Sequence, residues 1–283
     1  MKKKILLITT GGTLACTHTE SGLAPTLKGA DILAYANKGE EEIHILDFKL
    51  IDSSIMTDDD RADLAKIIWD NSDYQAFIIT HGTDSMAYTA AYLDCVLHNF
   101  GKTVVITGAQ LPLQEVGTDA IDNLNLALKT AAGGYFGVCL AIYGRIIPAK
   151  VATKMETEGF AAFESVNKKY LTQPIEIPKG KEELLCPKKK VGLIYITPSL
   201  AAQTILQYKD CQVLLVLVLG AGGVLRHQEA ALDRLKADGM EIYIKSQCVF
   251  GRVEAIYQAH SGVEKYHIIN DTSIEYALCK LSL

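Results

Sequence analysis

The chain has 283 residues, 49% of them apolar and 22% charged, with a formal net charge of −5. That balance belongs to a globular protein with room for one large domain or two smaller ones, and it offers no general basic field to hold nucleic acid. Seven cysteines without a C-x-x-C pair argue against a disulfide framework or a structural metal site.

Lys2-Lys3-Lys4 precede an apolar run of only strand length, Ile5 to Ile8, which is too short for the apolar core of a signal peptide. The longest apolar stretch, Val213 to Leu219, is also strand length, so no membrane span is expected and the expected compartment is the cytoplasm. After the first strand comes Thr10-Gly11-Gly12-Thr13-Leu14-Ala15, then a loop rich in Thr, Ser and Gly to Gly29, read as a mobile segment. Asp31 opens a short helix ended by Lys38-Gly39, and Ile43 to Phe48 alternates as a strand leading into Asp52-Ser53-Ser54. Thr57 is a good N-cap for a helix over 58–69, with three aspartates in its first turn.

Ala76 to Thr80 reads as a buried strand, followed by His81-Gly82-Thr83-Asp84-Ser85 and a helix from Met86 to about Asn99. Thr103 to Thr107 is another strand, ending in Gly108-Ala109-Gln110; a helix near 119–131 and a strand over 138–143 complete the series. Buried strands separated by helices imply right-handed crossovers and a parallel-type sheet with helices on both faces. From Leu171 to Lys190 the pattern lapses into prolines, Gly180 and charges. We therefore expect an α/β fold with a larger N-terminal domain over 1–172, a linker over 173–190 and a smaller C-terminal α/β domain over 191–283. In the latter, strands at 191–196, 213–219 and 241–245 alternate with helices at 199–208, 227–238 and 272–281.

Four loops carry the chemistry, because each follows a strand and should meet the others at one sheet edge. They are Gly11-Gly12-Thr13, Asp52-Ser53-Ser54, His81 to Ser85, and Gly108-Ala109-Gln110. No Walker lysine, dinucleotide fingerprint, H-E-x-x-H or Cys/His ligand spacing accompanies them, so no cofactor and no metal are expected. What is left suits a small zwitterion, with two threonines as candidate nucleophiles. A threonine hydroxyl needs a base to take its proton, and Asp84, His81 or a lysine from elsewhere, such as Lys154, could serve. The amides around Gly12 and Ala109 are candidate oxyanion donors. Cys16 is read as packing, and Leu219 to Gly223, lacking the lysine of a phosphate loop, as a backbone turn.

Thr10 to Ala15 and His81 to Ala90 resemble the two signature motifs of the bacterial-type L-asparaginases. The likeness extends through Asp52-Ser53-Ser54, Thr107 to Pro112, Thr118-Asp119 with Asn123, and Thr153-Lys154 with Gly159-Phe160. It implies hydrolysis of L-asparagine to L-aspartate and ammonia, with room for minor action on L-glutamine. It assigns Thr13 as nucleophile and Thr83, Lys154 and Asp84 as a proton relay. Asp84 would also receive the substrate ammonium, while Ser53 and Ser54, with Thr83, would hold the rest of the amino acid. The implied partners are a small amino-acid substrate and further copies of the chain, as a homodimer or homotetramer, with no nucleic acid and no membrane. His81 is read as a structural histidine, because the neighbouring threonine and lysine already fill the role of base, and Asp119 and Asn123 as a helix cap and a neighbouring structural hydrogen bond.

Three departures stand out. Gly22 to Pro25 lacks the tyrosine that many members carry after the nucleophile, Ile55 stands where an acid is common, and Ser85 replaces a frequent threonine, a change expected to matter little. The short N-terminus resembles the type I branch, in which Ser246-Gln247-Cys248 falls near an allosteric region and Glu254 or Tyr257 could reach a partner's pocket. Amidotransferase subunits that share the motifs carry an added N-terminal domain, which a nucleophile at residue 13 is expected to leave no room for.

Overall fold

Buried apolar runs set the frame. A computed structural model of the chain describes residues 2–37, 39–173, 180–255 and 258–283. It divides into two compact units, Met1–Ser165 with Lys169–Leu185, and Val166–Lys168 with Cys186–Leu283.

The first unit opens with β1 (Lys4–Gly11), the hairpin β2 (Cys16–Thr19) and β3 (Gly22–Pro25), α1 (Gly29–Leu33) and β4 (Glu42–Ile51). It continues through α2 (Asp58–Asp70), β5 (Ala76–Thr80), α3 (Met86–Val96), β6 (Leu97–His98), β7 (Thr103–Thr107), α4 (Ala120–Ala132) and β8 (Gly137–Ile142). Four short strands finish it: β9 (Arg145–Pro148), β10 (Ala152–Lys154), β11 (Phe163–Ser165) and β12 (Glu183–Leu184). Six strands form the main sheet in the order β4-β1-β5-β7-β8-β9, parallel except for β9. Every residue of β5 and β7 is buried, which explains why neither alternates between polar and apolar. On one face Ile5, Leu7, Ile78 and Val105 pack with α1 and α4 through Leu33, Ala127, Leu128 and Ala131. The opposite set, Leu6, Ile8, Phe77 and Ile79, is buried as well.

Parallel strands place all their carboxyl ends at one edge, and the order brings the ends of β4, β1, β5 and β7 side by side. That edge carries the four polar loops. The helix after β4 begins where the sequence places it: Thr57 caps Asp60, and Asp60 returns the bond to Thr57.

Several expectations need correction. The segment after Thr13, read as a mobile loop, is the β2–β3 hairpin, turned at a left-handed Gly22. The helix from Asp31 is a single short turn, α1, and Lys38 lies outside the described residues. The helix from Met86 stops at Val96, because Leu97-His98 leaves to pair with Glu183-Leu184, part of the expected linker. Pro174 and Pro178 of that linker lie outside the described residues.

In the second unit β13 (Val191–Tyr195), β14 (Val213–Val218), β15 (Glu241–Ser246) and β16 (His267–Ile268) form one parallel sheet in that order. α5 (Ala202–Leu206) and α6 (Arg226–Ala237) pack on Leu214, Val216 and Val218, while α7 (Ile274–Ser282) covers Val213, Leu215 and Leu217. Thus β14 is buried along both faces. The turn after it closes on itself through Gly223 N to Leu219 O, a backbone turn as expected. Among the described residues no helix is long and apolar enough to cross a membrane.

Candidate active site

The two glycines before Thr13 have separate uses. Gly11 has φ +97°, and a Cβ there would lie 2.5 Å from the Ile51 carbonyl oxygen at the end of β4. Gly12 has φ +74°, and a Cβ on it would overlap the Gly82 amide nitrogen and Cα and sit 2.8 Å from the His81 carbonyl carbon. The backbone of the first turn therefore touches strand β4 on one side and the turn after β5 on the other. Only glycine permits both the dihedral angle and the approach. Gly12 immediately precedes Thr13, and Gly82 immediately precedes Thr83, so this contact juxtaposes the two threonine-bearing turns.

Ser53 closes the far side of Gly82, whose Cβ would lie 2.6 Å from the Ser53 Oγ. Ser53 is only 4% exposed and Ser54 is exposed at the surface. The Ser54 amide donates to Asp52 Oδ1 at 2.8 Å, and that bond holds the Asp52 carboxyl below its usual range. Ser85 works through its amide and a hydroxyl that threonine would also offer. Its Oγ donates to the Ser53 carbonyl at 2.6 Å and its amide to Ser53 Oγ at 3.4 Å, tying the second and third loops together.

Lys154 arrives on β10, paired antiparallel to β11. Its Nζ donates to Thr83 Oγ1 at 2.9 Å and to Asp84 Oδ1 at 2.7 Å. The lysine side chain is 17% exposed and that of Asp84 63%, so the carboxylate faces solvent while the amine is mostly enclosed. Thr83, Asp84 and Lys154, 70 residues apart in the chain, thus form one hydrogen-bonded group. Thr13 starts a short turn (Thr13–Ala15) and is partly buried, beside the Gly12–Gly82 contact.

His81 is fully buried. Its Nδ1 lies 2.7 Å from the Gly82 carbonyl, which can only accept, so Nδ1 carries the proton and Nε2 accepts from the Thr89 hydroxyl at 2.9 Å. Burial, with a smaller contribution from the nearby Arg61 charge, lowers its pKa to about 4. A neutral imidazole with both nitrogens engaged supports the backbone of the turn; it is a structural histidine. Cys16 is buried with Sγ 3.4 Å from Gly12 O, and desolvation followed by the Asp52 charge raises its pKa, so the thiol stays protonated.

Sequence reasoning missed what Gln110 does and misread Asp119. Asp119 sits at the N-cap of α4, but its side chain makes no cap bond. It accepts instead from the amides of Gln110 (3.0 Å) and Leu111 (3.1 Å), and from Asn123 Nδ2 (2.9 Å). Asn123 also donates to Gly108 O at 3.0 Å and accepts the Tyr143 amide at 2.7 Å. The fourth loop is thereby held rigidly, and Gln110 Oε1 accepts the Thr83 hydroxyl at 3.0 Å. The motif Thr118-Asp119 with Asn123 was visible in the sequence; the direction of the aspartate was not.

Of the remaining residues singled out, Ile55 is 66% exposed. In the second unit Ser246 Oγ donates to Gly220 O and Gln247 Nε2 to Ile196 O and Leu217 O. Glu254 pairs with Arg252, and Tyr257 lies outside the described residues.

Comparison with known proteins agrees in family. A family model described as "Asparaginase, N-terminal" matches residues 4–182. L-asparaginase 1 of Escherichia coli K12 is 30% identical, over 99% of this chain and 91% of its own. The thermostable L-asparaginase from Thermococcus kodakarensis superposes with a TM-score of 0.89 at 27% identity, covering 99% of this chain and 92% of that one. L-asparaginase I from Vibrio cholerae gives a TM-score of 0.87 at 27% identity, covering 100% and 92%. Fold, turn geometry and the extent of these matches converge, and the chain belongs to the asparaginase family.

Proposed function

We propose that this protein is an L-asparagine amidohydrolase that works through an acyl-enzyme on Thr13. The supporting observation is the Thr83–Lys154–Asp84 group beside the Gly12–Gly82 contact, with Thr13 next in the chain. Thr13 Oγ attacks the side-chain carbonyl carbon of asparagine, and the oxyanion is met by backbone N–H groups of the loops. The carbon–nitrogen bond breaks, ammonia leaves with a proton, and a β-aspartyl ester remains on Thr13. Water, activated by the same relay, cleaves the ester and releases aspartate. Thr83 carries the proton between these groups, polarised by Lys154, while Asp84 takes the substrate's α-ammonium and Ser53 and Ser54 its α-carboxylate.

The exposed Asp84 gives an accessible negative charge at the end of the group, and the enclosed lysine gives a fixed donor to both Thr83 and Asp84. This division selects a zwitterionic amino acid. Minor glutaminase activity, a cytoplasmic location and assembly as a homodimer or homotetramer complete the reading. Its test is direct: incubate the folded protein with L-asparagine or L-glutamine and measure ammonia. Rapid release from asparagine and slower release from glutamine is expected; no release from either overturns the reading.

A further inference from the structure

We propose that Gln110 is a positioning residue that sets the orientation of the Thr83 hydroxyl; the inference rests on the hydrolase reading above. The side-chain amide spans two parts of the site. Its Oε1 accepts the Thr83 hydroxyl at 3.0 Å, and its Nε2 donates to the carbonyls of Thr157 at 2.9 Å and Gly159 at 3.2 Å. Two acceptors facing Nε2 and a hydroxyl facing Oε1 leave the amide one orientation.

The consequence falls on Thr83. Its single hydroxyl proton goes to Gln110, so its lone pairs face Lys154 Nζ at 2.9 Å. A threonine Oγ held from both sides is fixed in one rotamer, and the Thr83–Lys154 line is defined before substrate arrives. For that proton to leave, the hydroxyl hydrogen turns about the Cβ–Oγ bond away from Gln110 while Lys154, donating to the oxygen, stabilises the charge left on it; the heavy atoms do not move.

The support behind Gln110 is itself rigid. Asp119, buried, binds the amides of Gln110 and Leu111, and Asn123 bridges Asp119 to Gly108 O. The loop at 157–159 is closed by the Gly159 amide donating to Glu156 Oε1 at 3.2 Å. Because that loop follows β10, which carries Lys154, Gln110 couples the lysine's segment to the threonine's turn. Nothing in its position calls for contact with substrate; it acts through Thr83.

The test uses two variants. Gln110→Met keeps the length and removes both polar partners. We expect kcat to fall about 10- to 100-fold with KM within about threefold of wild type, the pattern of a lost geometric constraint. Gln110→Glu adds a readout that a purely structural role does not move. As a carboxylate it opposes the Thr157 and Gly159 carbonyls, whereas as a neutral carboxylic acid it accepts from Thr83 and donates to one of them, copying glutamine. Its kcat relative to wild type should therefore rise as pH falls toward the carboxyl range, while the Gln110→Met ratio stays flat. Lys154, Asp84, Asp119, Glu156 and Glu158 are the charged groups on the segments that meet Gln110 and Thr83, and wild type and both variants share them. If Gln110→Met does not fold, the Gln110→Glu ratio carries the test alone. An active wild type with unchanged kcat in Gln110→Met, or a flat Gln110→Glu ratio, overturns this role and leaves the hydrolase reading standing. A folded wild type that releases no ammonia overturns both.

Discussion

Replacing Gly12 with alanine separates the account from a generic loop argument. The residue has φ +74°, and an added Cβ would overlap Gly82 N and Cα and lie 2.8 Å from the His81 carbonyl carbon. With ψ 178° the pair of angles falls in a region that is essentially glycine-only, which costs an alanine about 1–3 kcal/mol. The overlap is with backbone, which no side-chain rotation relieves, and overpacking of that kind adds about 1–3 kcal/mol. The expected loss of about 2–6 kcal/mol corresponds to a fall in Tm on the order of 10 °C for a unit of this size. Relief requires the two turns to part by roughly an ångström, enough to cost about 10²-fold in kcat. Gly117 provides the control, since it has φ +79° but nothing within 4 Å of its would-be Cβ. Gly117→Ala should show the dihedral cost and little change in turnover. Thermal unfolding and ammonia release on the two variants decide the matter. Equal Tm and equal kcat for both would refute the claim that backbone contact between the turns places the threonines.

Other outcomes follow from the same geometry. Lys154→Met removes the donor shared by Thr83 and Asp84 and should lower kcat by at least about 10²-fold, measured by ammonia release; a smaller effect would exclude the lysine from proton transfer. His81 contributes a pH dependence of stability. Its pKa falls from 6.5 in the unfolded chain to about 4 in the fold, so the unfolded state binds the proton first as pH drops. The stability it contributes, about 3 kcal/mol, is full above the unfolded value and is lost as pH falls from 6.5 through about 4. Comparing Tm against pH for wild type and His81→Gln should show a shallower decline in the variant over that window. Parallel curves would contradict the buried neutral imidazole.

The fold was readable where burial alone shapes the pattern. Ala76–Thr80 and Thr103–Thr107 stand where the sequence places them because central parallel strands are buried on both faces and bounded by glycine or polar residues. The cap at Thr57 was equally plain, since capping is chemistry local to four residues. Elements decided by distant partners were not. Strand β9 returns antiparallel through Tyr143 (φ 47°) and Gly144 (φ 69°), a left-handed pair without the usual Asn-Gly signature. Leu97-His98 leaves its helical pattern only because Glu183-Leu184, 86 residues on, offers it a strand partner.

At the site, polar loops following strands were enough to pick out Thr13, Ser53, Thr83 and Gln110 as neighbours at one edge. Lys154 was not reachable that way. A lone lysine one loop beyond the strand over 138–143 was only one of three candidate bases, and the resemblance to a known motif was what singled it out. Asp119 was misread because its partners, the amides of Gln110 and Leu111, are fixed by side-chain direction, which spacing does not encode.

The central claim is that the Thr13 hydroxyl, at the tip of the first strand, forms the covalent bond to substrate. Steady-state ammonia release from L-asparagine by Thr13→Ala, in protein that unfolds at the wild-type Tm, tests it most directly. The account predicts a fall in kcat of at least about 10³-fold. Turnover near that of wild type would contradict it.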